Sequence, residues 1–458
     1  MDFSTRIITF SRPIVTADWD RVLRYSHRVK EFVCPSSWKE DLSQVYDVLL
    51  ETTIPGQYLL PNLQSFADTG TLSSTHLGLF ISPRIVEIKW SSNHISSLPI
   101  LTQRQRDLRV VVLDQDLVYV GTQANPHISA FLRGLTHLST LETGYMDEAA
   151  LTYLGGLTSL RELTLRTLPS LPSSLCRQGL FAHLTQMTIF THHSTPESMP
   201  AFIRTWTTPP LVSFSLMLAT ESPDEGFTED LFSALSEHCT PDTLQFLEVV
   251  QWGNQYEHIT HGTTLTKLAR FVNLTHVSIM TSGGYNLDDA ELGTLARAWP
   301  NIEVLELKAI WHGHRPRVTL GSLRMLAEWC PYIHQLELTI DASVIPPPIE
   351  FHSRRQLIQQ YLTTLGVGYS PISSAFDVAL YISGIYCNLR RIHGEKDDWD
   401  LEEEAEVDER DRREKEWSDR WKEVERMLPG LDEVRSEEFN WGRDSIQLAD
   451  YMSFEWQV

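Results

Sequence analysis

The chain has 458 residues, with 38 basic against 60 acidic side chains and a formal net charge of -22. That balance disfavours a nucleic-acid backbone or an anionic membrane surface as partner and leaves a basic or amphipathic protein surface as the easier one to accept. Apolar residues make up 42% of the chain, enough for a continuous core, yet no run of roughly 18 apolar residues occurs that would span a bilayer.

The first stretch, Met1 to Val15, mixes Asp2, Arg6 and Arg12 with apolar residues and lacks the uninterrupted apolar core of a signal peptide. Asp18 to Phe32 then places Trp19, Val22, Leu23, Val29 and Phe32 at helix-like spacings, so residues 1–28 are read as an N-terminal capping segment. From Val29 a six-residue window with apolar residues at positions 1, 4 and 6 begins to recur. Weak copies start at Val29, Leu63, Ile85 and Leu108, and stronger ones at Leu138, Leu160, Leu184, Leu211, Leu244, Leu274, Ile302, Ile333 and Leu362. A frayed copy at Leu389 ends the series, and the steps run from 22 to 34 residues.

Between windows lie helical patterns, such as Phe227 to His238 with Leu231, Phe232 and Leu235 on one side, and Asp288 to Trp299 with Leu292, Leu295 and Ala296. Asn286 before Asp289, and Thr228 before Glu229 and Asp230, suggest helix caps. One phrase occurs twice: Leu295 to Leu307 and Leu326 to Leu338 each run helix end, proline, then a strand closing in Leu-Glu-Leu. Proline pushes the residue before it out of the helical region, so each helix should stop there. Helix, stop and short strand at this period define an α/β leucine-rich-repeat solenoid, with parallel strands on a concave face and helices on the convex one. Residues 29–394 are assigned to it, because a single repeat cannot bury its own apolar face and must stack on the next.

The segment 395–416 holds thirteen acidic and five basic residues and is expected to be a solvated loop. In 417–458, Trp417, Trp421, Val424 and Leu428 recur at the spacing of a docked helix, which is expected to cap the last repeat. Five scattered cysteines, Cys34, Cys176, Cys239, Cys330 and Cys387, never form a C-x-x-C pair. Reduced thiols are the natural reading, and an intracellular location, cytoplasm or nucleus, is expected.

Catalytic and metal-binding patterns are absent from the sequence: no P-loop, no G-x-S-x-G elbow, no H-E-x-x-H and no dinucleotide fingerprint. His312 with His314, and His192 with His193, lack a carboxylate or thiol at ligand spacing. Gly366 and Gly368 fit a close backbone approach better than a phosphate, and Asp288 with Asp289 fits a helix start better than an acid/base pair. The expectation is a non-enzymatic protein with no catalytic residue, cofactor or metal.

What remains is surface. The window register aligns outward-facing residues of successive strands into columns, the central one reading Thr164, Thr188, Ser215, Glu248, Ser278, Glu306 and Glu337. The flanking columns contribute Phe246 and His276 on one side and Arg166, Phe190, Met217, Val250, Met280 and Lys308 on the other. A partly apolar, partly acidic concave face is therefore expected to bind a protein, through Arg166, Phe190, Met217, Phe246, Glu248, Val250, His276, Met280, Glu306, Lys308 and Glu337. The alternative is that a terminal segment folds across the face and covers it.

Ordered phrases along the chain carry a family resemblance. Arg12-Pro13, Asp18-Trp19-Asp20-Arg21, Tyr25, Arg28-Val29, Leu79-Phe80-Ile81-Ser82-Pro83 and Ile88-Lys89-Trp90 come first. Asn273-Leu274-Thr275-His276-Val277, Leu287-Asp288-Asp289-Ala290, Ala296-Arg297-Ala298-Trp299-Pro300 and the stretch from Gly366 to Tyr369 come after them. In this order the chain resembles the F-box leucine-rich-repeat proteins of mushroom-forming fungi. The resemblance implies a substrate-recognition arm of a cullin-type ubiquitin ligase, whose adaptor binds an F-box near the N-terminus. No F-box signature stands before Arg12, so adaptor binding is expected only if an F-box lies upstream. A repeat-only scaffold or decoy, which binds a protein without recruiting the ligase, is the alternative.

Overall fold

The computed structural model describes residues 6–34, 40–52, 58–69, 72–73, 75–91, 95, 97–99, 101, 107–114, 126–144, 146–168, 179–191, 198–218, 226–252, 258–309, 315–347, 359–394 and 409–454. They belong to two compact units, Met1–Leu211 and Val212–Val458.

Unit 1 opens with β1 (Arg6–Ile7), the sheet strand β2 (Glu31–Cys34) and β3 (Glu40–Asp41), of which β1 and β3 pair parallel with each other. Its sheet continues from β2 through β4 (Ser65–Asp68), β5 (Glu87–Ser91), β6 (Val110–Asp114), β7 (Thr140–Thr143), β8 (Glu162–Leu165) and β9 (Gln186–Thr191), each parallel to the one before. Unit 2 repeats the plan with β10 (Ser213–Leu218), β11 (Phe246–Gln251), the short β12 (Thr260–His261), β13 (His276–Thr281), the short β14 (Tyr285–Asn286), β15 (Val304–Ala309), β16 (Gln335–Leu338), β17 (Thr364–Gly366) and β18 (Arg391–His393). Here β12 and β14 form a separate parallel pair, and the other seven strands make one parallel run.

Every sheet strand starts two residues after the first apolar residue of its window, from Val29 before β2 to Leu389 before β18. The reason is burial. In the copy at Leu244, the residues at positions 1, 4 and 6, Leu244, Leu247 and Val249, are each fully buried, while Phe246, Glu248 and Val250 between them are half-buried. Each such apolar side chain contributes about 1.5–3 kcal/mol on burial, so a one-residue slip would expose three of them and is strongly disfavoured.

Parallel strands need a crossover, and among the described residues helices such as Glu148–Gly155, Phe227–His238, Asp289–Ala298, Leu320–Trp329 and Ala375–Ser383 supply it. Phe227–His238 has the bounds read from the sequence. Its cap differs: Gly226 in the left-handed conformation precedes the helix, and Thr228 lies inside it. The helix Asp289–Ala298 is capped by Asp288 and not Asn286. The Asp288 carboxylate accepts from the Ala290 and Glu291 amides at 3.1 and 3.0 Å, and Glu291 accepts from the Asp288 amide in return. The neighbouring Asp289 serves the following repeat, accepting from the Thr319 amide at 2.7 Å and its hydroxyl at 2.6 Å. Two adjacent carboxylates thus point to different helix starts, which is why they make no acid/base pair. Trp299 and Cys330 end their helices ahead of proline as expected, and both are buried.

The ends differ from the sequence reading in detail. The N-terminal helix is Thr16–Ser26, held by two 2.7 Å bonds from Arg12 to Asp18; Trp19 is buried, but Phe32 sits on β2 and Val22 is exposed. The strand window starting at Val29 prevails over the helical spacing because only the strand lets Phe32 stack on Phe66 and Phe80. At the other end a helix runs from Glu409 to Phe454, so it begins inside the segment read as an acidic loop; residues 395–408 lie outside the described ones. Trp421, Val424 and Leu428 are buried and Trp417 partly so, while the helix lies against Ala375–Ser383 and β18.

Candidate interaction face

Nine of the eleven residues singled out from the sequence lie in unit 2, and the strand register brings them into three rows. Ser215, Glu248, Ser278, Glu306 and Glu337 pair across successive strands, and Gly366 and His393 extend the row. Beside them run Phe246, His276 and Val304, and on the other side Met217, Val250, Met280 and Lys308. These are the strand positions that alternate with the buried ones, so they share the face turned away from the core.

The central row holds a polar pair, Ser215 with Glu248, and a polar network that runs from Ser278 to His393. Ser215 donates to Glu248 at 2.6 Å, and Ser278 donates to Glu306 at 2.8 Å. Glu306 also accepts from Gln335 at 2.5 Å and is only 8% exposed. Lys308 stands between two strands' carboxylates, 3.2 Å from Glu306 and 3.1 Å from Glu337, and His393 reaches Glu337 at 3.7 Å. Burial alone would lower the Lys308 pKa, but the Glu337 and Glu306 charges more than reverse it and the net shift is upward. Burial pushes the Glu337 carboxyl up, and the His393 hydrogen bond and Lys308 outweigh it, so Glu337 is held below its ordinary range. The face is therefore less acidic than its three glutamates suggest, because one lysine is clamped inside it.

The apolar flank has its own order. Phe246 and His276 stack at 4.5 Å with ring planes 14° apart. Burial lowers the His276 pKa and the Glu306 and Glu248 charges oppose that; the net shift is downward, which favours the neutral ring. Met217, Phe246, Val250 and Met280 are each half-buried, which leaves an apolar surface at these positions. The remaining two residues belong to unit 1. There Arg166 pairs with Glu142 and lies 5.9 Å over the Phe190 ring.

Sequence reasoning stopped the central column at Glu337 and so missed Gly366 and His393, although the same register extended by two windows reaches both. Gly366 is required by its neighbours: a Cβ there would stand 2.5 Å from the Glu337 side chain and 3.0 Å from the His393 ring. Gly366→Ala is expected to displace both and, by loosening the His393 contact that helps hold the Glu337 carboxyl down, to raise the Glu337 pKa toward its ordinary range, measured by NMR titration; an unchanged titration contradicts the contact.

Among the described residues no group of histidine, cysteine and carboxylate side chains is placed to hold a metal, and no helix is long and apolar enough to cross a membrane. Histidines 192, 193, 312 and 314 lie outside the described residues, as does Cys176. Burial pushes the Cys34, Cys239 and Cys330 thiols up to about 12, so they are poor nucleophiles at neutral pH.

A parallel strand, a stop and a helix repeated in this register, with one half-polar sheet face, define a leucine-rich-repeat α/β protein. Among solved structures the chain is similar to the leucine-rich repeat-containing protein LegL7 from Legionella pneumophila, at 12% identity over 87% of this chain and 98% of that chain, with a TM-score of 0.28. No family model matches the chain, and no curated protein does.

Proposed function

We propose that the sheet face of unit 2 binds a segment of another protein through the Met217, Phe246, Val250 and Met280 surface and the glutamate row beside it. The observation that carries this reading is the register: apolar and acidic side chains from four adjacent strands line up on the face that the core does not use. A cationic side chain flanked by apolar ones suits it, the cation meeting Glu248 and the apolar groups meeting the two methionines and Phe246. Arg166 and Phe190 are proposed separately, as a protein contact of unit 1 by itself.

The likeness to F-box leucine-rich-repeat proteins extends this to the recognition arm of a ubiquitin ligase, with a repeat-only scaffold as the other reading. Pull-down with the purified ligase adaptor separates the two: adaptor binding supports the receptor, and its absence supports the scaffold for this chain. Replacing Phe246, Glu248 and Met280 together by alanine is expected to abolish partner capture under either reading. Capture that survives the triple replacement contradicts the assignment of the face.

A further inference from the structure

The net charge is not spread over the chain. Residues 1–211 carry 17 basic and 18 acidic side chains, whereas residues 212–458 carry 21 basic and 42 acidic ones, so nearly all of the -22 falls in unit 2. Five of the seventeen basic residues of unit 1 stand where the chain enters a sheet strand, at the window positions that flank the first apolar residue.

Five cations occupy that edge. Arg28 and Lys30 precede β2, Arg84 precedes β5, Arg109 precedes β6 and Arg161 precedes β8, and all five are exposed. Adjacent strands stand about 4.8 Å apart, so the row tracks one side of the sheet. Arg28 lies 5.4 Å over the exposed Tyr25 ring, Arg84 is braced by Asn62 at 2.8 Å, and Arg161 is braced by the Thr158 carbonyl at 2.7 Å. These contacts orient the guanidinium groups without neutralising them, since their partners are an aromatic ring, an amide and a carbonyl. The one described carboxylate at the same window positions in unit 1 is Asp107.

A basic edge in a strongly acidic protein is complementary to something, and the chain itself contains the chemistry. Residues 395–408 hold nine acidic side chains and one basic one, and they join Gly394, just after β18, to the helix that starts at Glu409, so both ends are tied to unit 2. We infer that the basic edge of unit 1 docks the acidic segment 395–408 of a second copy of the chain. A long nucleic acid is the less favoured occupant, because it would have to approach a protein of net charge -22. The contact joins two different surfaces, so it is head-to-tail and open-ended, and it is weak, reversible and controlled by salt.

Sedimentation velocity of the full chain over a range of concentrations tests this. Self-association is expected at an ionic strength of about 0.02 M and its loss at about 0.5 M, where the screening length falls below about 5 Å. The variant Arg28→Glu/Arg84→Glu/Arg109→Glu/Arg161→Glu is expected to stay monomeric at low salt. So is a second variant with Asp397, Asp398, Glu402, Glu403 and Glu404 replaced by the corresponding amides. Mixed one to one, the two variants are expected to give a dimer and nothing larger, because each retains one intact partner surface. A wild-type chain that stays monomeric at low salt overturns the proposal without relying on any variant. So does association that survives either set of replacements, or a labelled single-stranded oligonucleotide that binds the edge and displaces no second copy. Circular dichroism of both variants shows whether any loss reflects unfolding; a variant that fails this check is replaced by one carrying Arg109→Glu and Arg161→Glu only, whose unchanged association likewise counts against the docking.

Discussion

Trp421→Ala is expected to destabilise unit 2 by about 3–5 kcal/mol, the range for truncating a fully buried aromatic side chain. Trp421 is 2% exposed, and its indole N–H donates to the Ser370 carbonyl at 2.9 Å. Val424 and Leu428, one and two turns further on, complete the buried stripe, while Arg420 donates to the Ile372 and Ser373 carbonyls on the rim. Removing the indole opens a cavity and leaves the Ser370 carbonyl without this donor. For a unit of this size the corresponding fall in melting temperature is roughly 10 °C. Trp421→Phe retains most of the packing and should cost only about 1 kcal/mol for the lost hydrogen bond. Melting curves of the two variants decide the matter; equal melting temperatures for Trp421→Ala and the wild type would show that the helix does not cap the array.

Glu306→Ala is the second large effect, about 3 kcal/mol, because several partners lose their acceptor at once. Ser278 and Gln335 both donate to Glu306, and Lys308 lies 3.2 Å from it, at a position nearly closed to solvent. Glu306→Gln keeps a carbonyl acceptor and removes only the charge, so it should cost less. Urea denaturation of the two variants reads the difference as a change in midpoint at constant slope. If Glu306→Ala costs no more than an exposed glutamate would, under about 0.5 kcal/mol, the network is not a unit.

These two cases show what the sequence could and could not disclose. The buried stripe of Trp421, Val424 and Leu428 is a periodicity, and periodicity reflects where the solvent is. All fourteen windows land on strands for the same reason, including the weak copies at Val29 and Leu389. Caps were harder: Asn286 and Asp288 are equally good acceptors by type, and only the backbone geometry places Asp288 within reach of the Ala290 and Glu291 amides. The polar chemistry of the face was harder still. Three glutamates in one column read as an acidic surface, yet Lys308 on the next row folds between two of them and cancels part of that charge. That cancellation depends on a side-chain rotamer, which no spacing rule carries. Gly366 looked like backbone fit, and it is, but the partners that demand it come from β16 and β18, 29 residues before it and 27 after.

The central claim is that the sheet face of unit 2 is a protein-binding surface for cationic, apolar-flanked segments. Selection of a displayed random-peptide library on the full chain tests it most directly, at moderate salt and with the Phe246→Ala/Glu248→Ala/Met280→Ala variant as the counter-selection target. Peptides with a lysine or arginine between apolar residues are expected to emerge, binding the wild type and not the variant. Peptides that bind both equally, or a selected consensus without a cation, would contradict it.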